Sequence, residues 1–173
     1  MGPTFEQRLK AIDWGNYHTA YGPAVKVPDQ LRRLAGPDRK AAMDATHDLW
    51  CGLCHQHVQV GSAAAPALPF LLEVLDRADR DMTVELLDIL LGFALGVNWQ
   101  RVVEFQRSLG REAPPEERWS AELRAALLAE VPRFRRLAAT PDDDVADFAC
   151  RTLSELGVAA DAEPAAAPVR DGG

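Results

Sequence analysis

Three segments of the chain share one layout, and it constrains the fold more than any other feature. Each begins with an apolar residue and proline, and each has an aspartate ten residues after that proline: Val27-Pro28 to Asp38, Leu68-Pro69 to Asp79, and Val131-Pro132 to Asp142. Proline is well placed at a helix start, where its missing N–H has no intrahelical partner in any case. Each aspartate follows a turn (Gly36-Pro37, Arg77-Ala78, Thr140-Pro141) and sits where an N-cap acceptor is wanted. The layout predicts a helix, a tight turn and a capped second helix, three times over. Counted from the aspartate, offsets 3, 4, 7, 8 and 11 give Ala41, Ala42, Ala45, Thr46 and Leu49, then Met82, Thr83, Leu86, Leu87 and Leu90, then Val145, Ala146, Ala149, Cys150 and Leu153. This is one mainly apolar stripe at helical spacing. The first helices contribute Leu31 and Leu34, Leu72 and Leu75, and Phe134 and Leu137.

No stretch alternates apolar and polar residues long enough to read as a strand. The expected fold is therefore all-α, a right-handed stack of seven to nine helices built from about three helical pairs. The aspartates are 41 and then 63 residues apart, which locates an insertion of about 22 residues at 96–119. The insertion is read as a helix extension, Trp99 to Leu109, and a loop; Pro132 is read as opening a helix or kinking a longer one that starts near Ser120. Residues 1–26 contain a short helix and an aromatic loop (Trp14, Tyr17, Tyr21), and are read as a cap on the first pair. Residues 27–158 form the repeat domain, and 159–173, rich in Ala, Pro, Asp and Gly, are read as a disordered tail.

A pair of about 41 residues, with proline in its first helix and aspartate at the turn into an Ala- and Leu-rich second helix, resembles a HEAT repeat, most closely over Pro69–Asp79. The likeness covers 27–158 outside the insertion. Asp13-Trp14, Ala20-Tyr21-Gly22, Val27-Pro28, Leu49-Trp50, His55-Gln56 and Ala65–Leu71 are together similar to a group of small bacterial HEAT-repeat proteins; the residues after His-Gln in that group usually read Gly-Thr-Val-Tyr, and here they are His57-Val-Gln-Val. The resemblance implies an α-solenoid. It also implies protein binding, which is what most HEAT families do, although a few bind DNA or act as glycosylases or lyase subunits.

Charge narrows the classes. Asp plus Glu number 26 against 19 Lys plus Arg, a net charge of −7. Nucleic-acid affinity comes mostly from neutralising phosphates, so nucleic acid is not expected as a partner, and an anionic membrane surface is not expected either. No apolar run approaches a bilayer-spanning length, and the N-terminus lacks a signal-peptide layout. The three cysteines suit a reducing compartment, so a cytoplasmic location is expected. The 28 Ala and 16 Arg against 3 Lys suggest a GC-rich bacterial genome.

Two sets of residues are candidates for function. His47, Cys51 and Cys54 project within about 40° of the side opposite Leu49, flanked by Trp50 and His55. Cys51-Gly-Leu-Cys54-His55 has the haem-attachment spacing, and His47, Cys51, Cys54 and His55 are the alternative of a zinc site. The preferred reading is packing beneath the N-terminal aromatic segment, with no metal and no cofactor, and Trp50 available to a partner. The second set is acidic: Asp81, Glu85 and Asp88, then Asp144 and Asp147, lie opposite the stripe on two second helices. Trp99 is the nearest aromatic anchor. No phosphate loop, nucleophile elbow or metalloprotease motif is present, so no catalytic residues are assigned. The expected function is non-enzymatic binding of a basic protein, as an inhibitor or immunity-type protein binds a toxin. A HEAT-type enzyme or enzyme subunit, DNA glycosylase-like or lyase-like, is the alternative.

Overall fold

The structure is a computed structural model, and it describes residues 2–57, 59–113 and 115–160. Among them are nine α-helices: α1 (Phe5–Ala11), α2 (Val27–Ala35), α3 (Arg39–Cys54), α4 (Ala64–Leu75), α5 (Arg80–Val97), α6 (Trp99–Ser108), α7 (Arg118–Ala129), α8 (Val131–Ala138) and α9 (Asp143–Glu155). The only strands described are a two-residue antiparallel pair, β1 (His18–Thr19) and β2 (Gly22–Pro23). The fold is all-α.

The three repeated aspartates all cap second helices. The Asp38 side chain accepts from the backbone N–H groups of Lys40 and Ala41, Asp79 from Met82 and Asp142 from Val145. Beyond each cap the stripe is buried: Ala42, Ala45, Thr46 and Leu49 on α3, Met82, Leu86, Leu87 and Leu90 on α5, and Val145, Ala149 and Leu153 on α9. α5 packs against α3 on one side and α9 on the other, while α2 packs on α3 and α8 on α9. α7 closes a further side of α4 and α5. α5 is the central helix, and its last three turns are buried nearly all round, from Leu86 and Leu87 through Ile89, Leu90, Leu91, Phe93 and Ala94 to Val97.

Two local expectations differ from the structure, and a third is decided between its two readings. Pro69 lies inside α4 rather than at its start, because α4 begins at Ala64. Its ring removes one N–H donor, yet the helix continues because Leu68, Phe70, Leu71 and Leu72 around it are buried. Residues 99–108 form a separate helix instead of extending α5; the two axes are bent by 65° at Asn98, whose side chain accepts from the Arg101 N–H and caps the new helix. Pro132 stands in the first turn of a distinct helix, α8, so α7 and α8 are not one kinked rod.

In the N-terminal segment Trp14 is buried, donates from Nε1 to the Leu9 carbonyl at 3.0 Å and lies with its ring 6.4 Å from that of Phe70. Phe5 meets Phe70 edge-on at 5.0 Å. The segment thus packs against α4, and Glu6 also pairs with Arg32 of α2. Val158 and Ala160 pack on the core; the rest of the segment read as a tail, 161–173, lies outside the described residues.

Candidate functional site

The acidic second-helix face is partly neutralised by the fold itself. Arg39, which follows the Asp38 cap, reaches Asp79 at 2.9 Å and Asp81 at 3.5 Å. Arg80, which follows the Asp79 cap, reaches Asp142 at 2.9 Å and pairs also with Asp144. Each guanidinium thus spans from one second helix to the cap of the next. The Asp142 carboxyl is held below its usual range, first by the Arg80 hydrogen bond and then by the Val145 N–H that it caps. Two guanidinium groups cannot balance four carboxylates, so a negative excess remains. Asp147 pairs with Arg151 at 3.4 Å, and both are exposed. Among the described residues Glu85 has no ion-pair partner. Asp88 is set apart from the others: it is half-buried and lies 2.9 Å from His57 Nε2.

That pair leads into a second constellation, which the α3–α4 connection builds. His57 has φ +62°, in the left-handed region that side chains other than glycine seldom adopt. Its ring is held by the Asp88 carboxylate and lies 3.1 Å from the Asp88 carbonyl oxygen. It also meets Trp50 edge-on at 6.0 Å, and Trp50 stacks on His47 at 6.2 Å. Two glycines one turn apart on α5 admit this connection. A Cβ on Gly92 would lie 2.7 Å from Cys54 Sγ and 2.9 Å from His57 Cδ2, and a Cβ on Gly96 would collide with Val60. The connection therefore lies in a notch cut into the central helix.

The notch also decides what covers Cys54. Cys54, opposite Leu49 on α3, is buried as the packing reading expects, but under the connection and α5 rather than under the N-terminal aromatic segment. Burial pushes its thiol up to about 12, with the Asp88 and Cys51 charges adding and the His57 N–H opposing. His47 and Cys51 remain together, Nε2 to Sγ 3.6 Å, while His55 turns away to the Tyr21 hydroxyl at 2.9 Å. Among the described residues no group of three or more His, Cys, Asp or Glu is placed to hold a metal ion. Folded protein treated with iodoacetamide at pH 7.5 is expected to label at Cys51 and Cys150, both partly exposed, well before Cys54, which should react only on unfolding. Peptide mapping by mass spectrometry checks this. The sign for stability follows. The unfolded thiol ionises near 9.0 and the folded one near 12, so the Cys54 contribution is intact below about pH 9 and is lost as pH rises toward 12.

Beside the notch the insertion shapes a cleft of about 580 Å³, with Trp99, Val102 and Phe105 of α6 on one wall, Trp119 of α7 on another, and His57 and Val60 at its inner end. Phe105 is 57% exposed and Leu109 49%. No residue of α6 is fully buried. The Trp119 indole donates to Glu117 at 2.8 Å, whereas the Trp99 indole has no hydrogen-bond partner among the described residues. Trp99 thus belongs to this cleft. Phe105, which lines it with Trp99, Trp119, His57 and Val60, was not singled out from the sequence; only the amphipathic spacing of Trp99, Val102, Phe105 and Leu109 could have pointed to the cleft. No protein-family model matches the chain, and neither does any curated protein or solved structure compared with it.

Proposed function

We propose that the chain is a non-enzymatic protein-binding module, an α-solenoid of HEAT-like helical pairs whose acidic α5–α9 face receives a basic protein, as an inhibitor or immunity-type protein receives a toxin. The observation that carries the reading is the residual negative charge on that face: Asp79, Asp81, Asp142 and Asp144 share two guanidinium groups, and Glu85 stands without a cation among the described residues. Such a face steers a basic partner in and rejects acidic ones, raising the association rate more than the final affinity. The net charge of −7 acts in the same direction at longer range.

The test is a Glu85→Lys and Asp147→Lys double variant. Neither residue caps a helix or belongs to the Arg39 and Arg80 pairs, so the change in stability is expected to stay near 0.5 kcal/mol per site. Affinity capture from the native host, quantified by mass spectrometry, is expected to retain a protein of high isoelectric point on the parent chain and to lose it on the variant. Association measured with that protein should slow about tenfold at low salt, and less at high salt, where exposed charges are screened. Equal capture by both chains at low salt would rule this reading out.

A further inference from the structure

We propose that the aromatic cleft between α6 and α7 is a binding site for an extended, proline-containing segment, and that its resident occupant is the chain's own residues 161–173. This goes beyond the acidic-face reading and does not depend on it. The first argument is the chemistry of the cleft. Trp99, Phe105 and Trp119 present flat apolar walls, and the Trp99 indole N–H is free among the described residues to meet a backbone carbonyl. Aromatic walls with an indole donor suit a proline-rich chain, whose backbone carbonyls point outward without internal hydrogen bonds.

The second argument is position. The end of α9 is tied to the helices that form the cleft. Glu155 accepts from the Asn98 side chain at 2.9 Å and pairs with Arg101 at 3.5 Å, and the Leu156 carbonyl accepts from Arg124 of α7 at 3.3 Å. Asn98 caps α6, and Arg101 itself lines the cleft. The chain therefore leaves α9 beside the cleft. Thirteen residues follow Ala160. They can span up to about 45 Å, enough to cross a cleft whose edge is already touched at Glu155.

The third argument is composition and charge. The segment reads Asp-Ala-Glu163-Pro164-Ala-Ala-Ala-Pro168-Val169-Arg170-Asp-Gly-Gly. Ahead of its acidic start, Glu155, Leu156 and Ala159 meet Arg101, Arg124 and Arg135, the last of which donates to the Ala159 carbonyl at 3.3 Å. Its one cation, Arg170, comes after the prolines, and Glu117 is the carboxylate that lines the cleft. Because the segment is tethered, its local concentration is in the millimolar range, so weak contacts are enough to keep it seated.

The experiment uses the full chain throughout, with a photo-cross-linking benzoylphenylalanine in place of Val169. Cross-links are expected within one chain, to peptides carrying Trp99–Gln106 and Trp119. A Pro164→Gly and Pro168→Gly double variant, and separately Phe105→Glu, an exposed position, should each lose most of them while leaving the circular dichroism unchanged. In 5-fluorotryptophan-labelled protein the same proline changes should shift the Trp99 and Trp119 fluorine signals and leave the Trp14 signal in place. Cross-links scattered over the surface, cross-links to a second copy, or fluorine spectra indifferent to the proline changes would each overturn the proposal. None of these readouts involves Glu85 or Asp147, so its failure is distinguishable from failure of the acidic-face reading.

Discussion

Phe93→Ala is expected to lower the free energy of unfolding by about 3–5 kcal/mol. Phe93 is fully buried on α5, the helix that α3, α7 and α9 all pack against. Truncating it removes the transfer energy of a ring and leaves a cavity that four rigid helices cannot collapse into. Urea unfolding followed by circular dichroism measures the loss, and the melting temperature should fall by about 10 °C for a domain of this size. The slope of free energy against urea should stay unchanged, since the native and unfolded surfaces barely alter. A loss below about 1 kcal/mol would mean that α5 is not the centre of the core.

The second large effect carries an unusual sign. Gly92→Ala inside a helix would ordinarily stabilise it by about 0.5–1 kcal/mol, because alanine gives up less backbone freedom on folding. Here the added methyl would meet both Cys54 and the His57 ring within 3 Å, and both sit on the connection that α5 holds in place. A cost of about 1–3 kcal/mol is expected instead, the usual penalty for overpacking. Urea unfolding gives the sign directly. The His57 ring proton resonances should move in the same variant, because the ring is displaced from Asp88. A stabilising Gly92→Ala would mean that the notch is not closely packed.

The parts of the fold that were legible in the sequence are those set by short-range chemistry. Asp38, Asp79 and Asp142 could be read as caps because a cap needs only a carboxylate and the N–H groups two or three residues on. Leu49, Leu86 and Leu153 could be read as core because helical spacing places them on one face. The remainder depended on partners far along the chain. Arg39 meets Asp79 across 40 residues, and Arg80 meets Asp142 across 62; no local pattern distinguishes such an arginine from a solvated one. Asp88 looked like its neighbours Asp81 and Glu85 until His57 was brought to it from the α3–α4 connection. Cys54 is buried as the packing reading expects, but what covers it could not be read, because a helical projection knows only its own helix and at the last turn of α3 the chain folds back over it. The cleft was hidden for the same reason: its walls come from residues 57–60 and 95–120, which α4 and most of α5 separate in sequence.

The guanidinium bridges between second helices also have a direction. Arg39 reaches forward to the cap of α5, and Arg80 reaches forward to the cap of α9, so each helical pair offers a cation to its successor and a carboxylate to its predecessor. After Asp142 the next residue is Asp143, and there is no cation to offer. At the other end, no guanidinium among the described residues reaches Asp38. Two copies placed end to end, α9 against α3, would bring Asp143 toward Asp38 and set carboxylate against carboxylate where the interior joints have ion pairs. Charge thus disfavours an end-to-end contact between two copies through these helices.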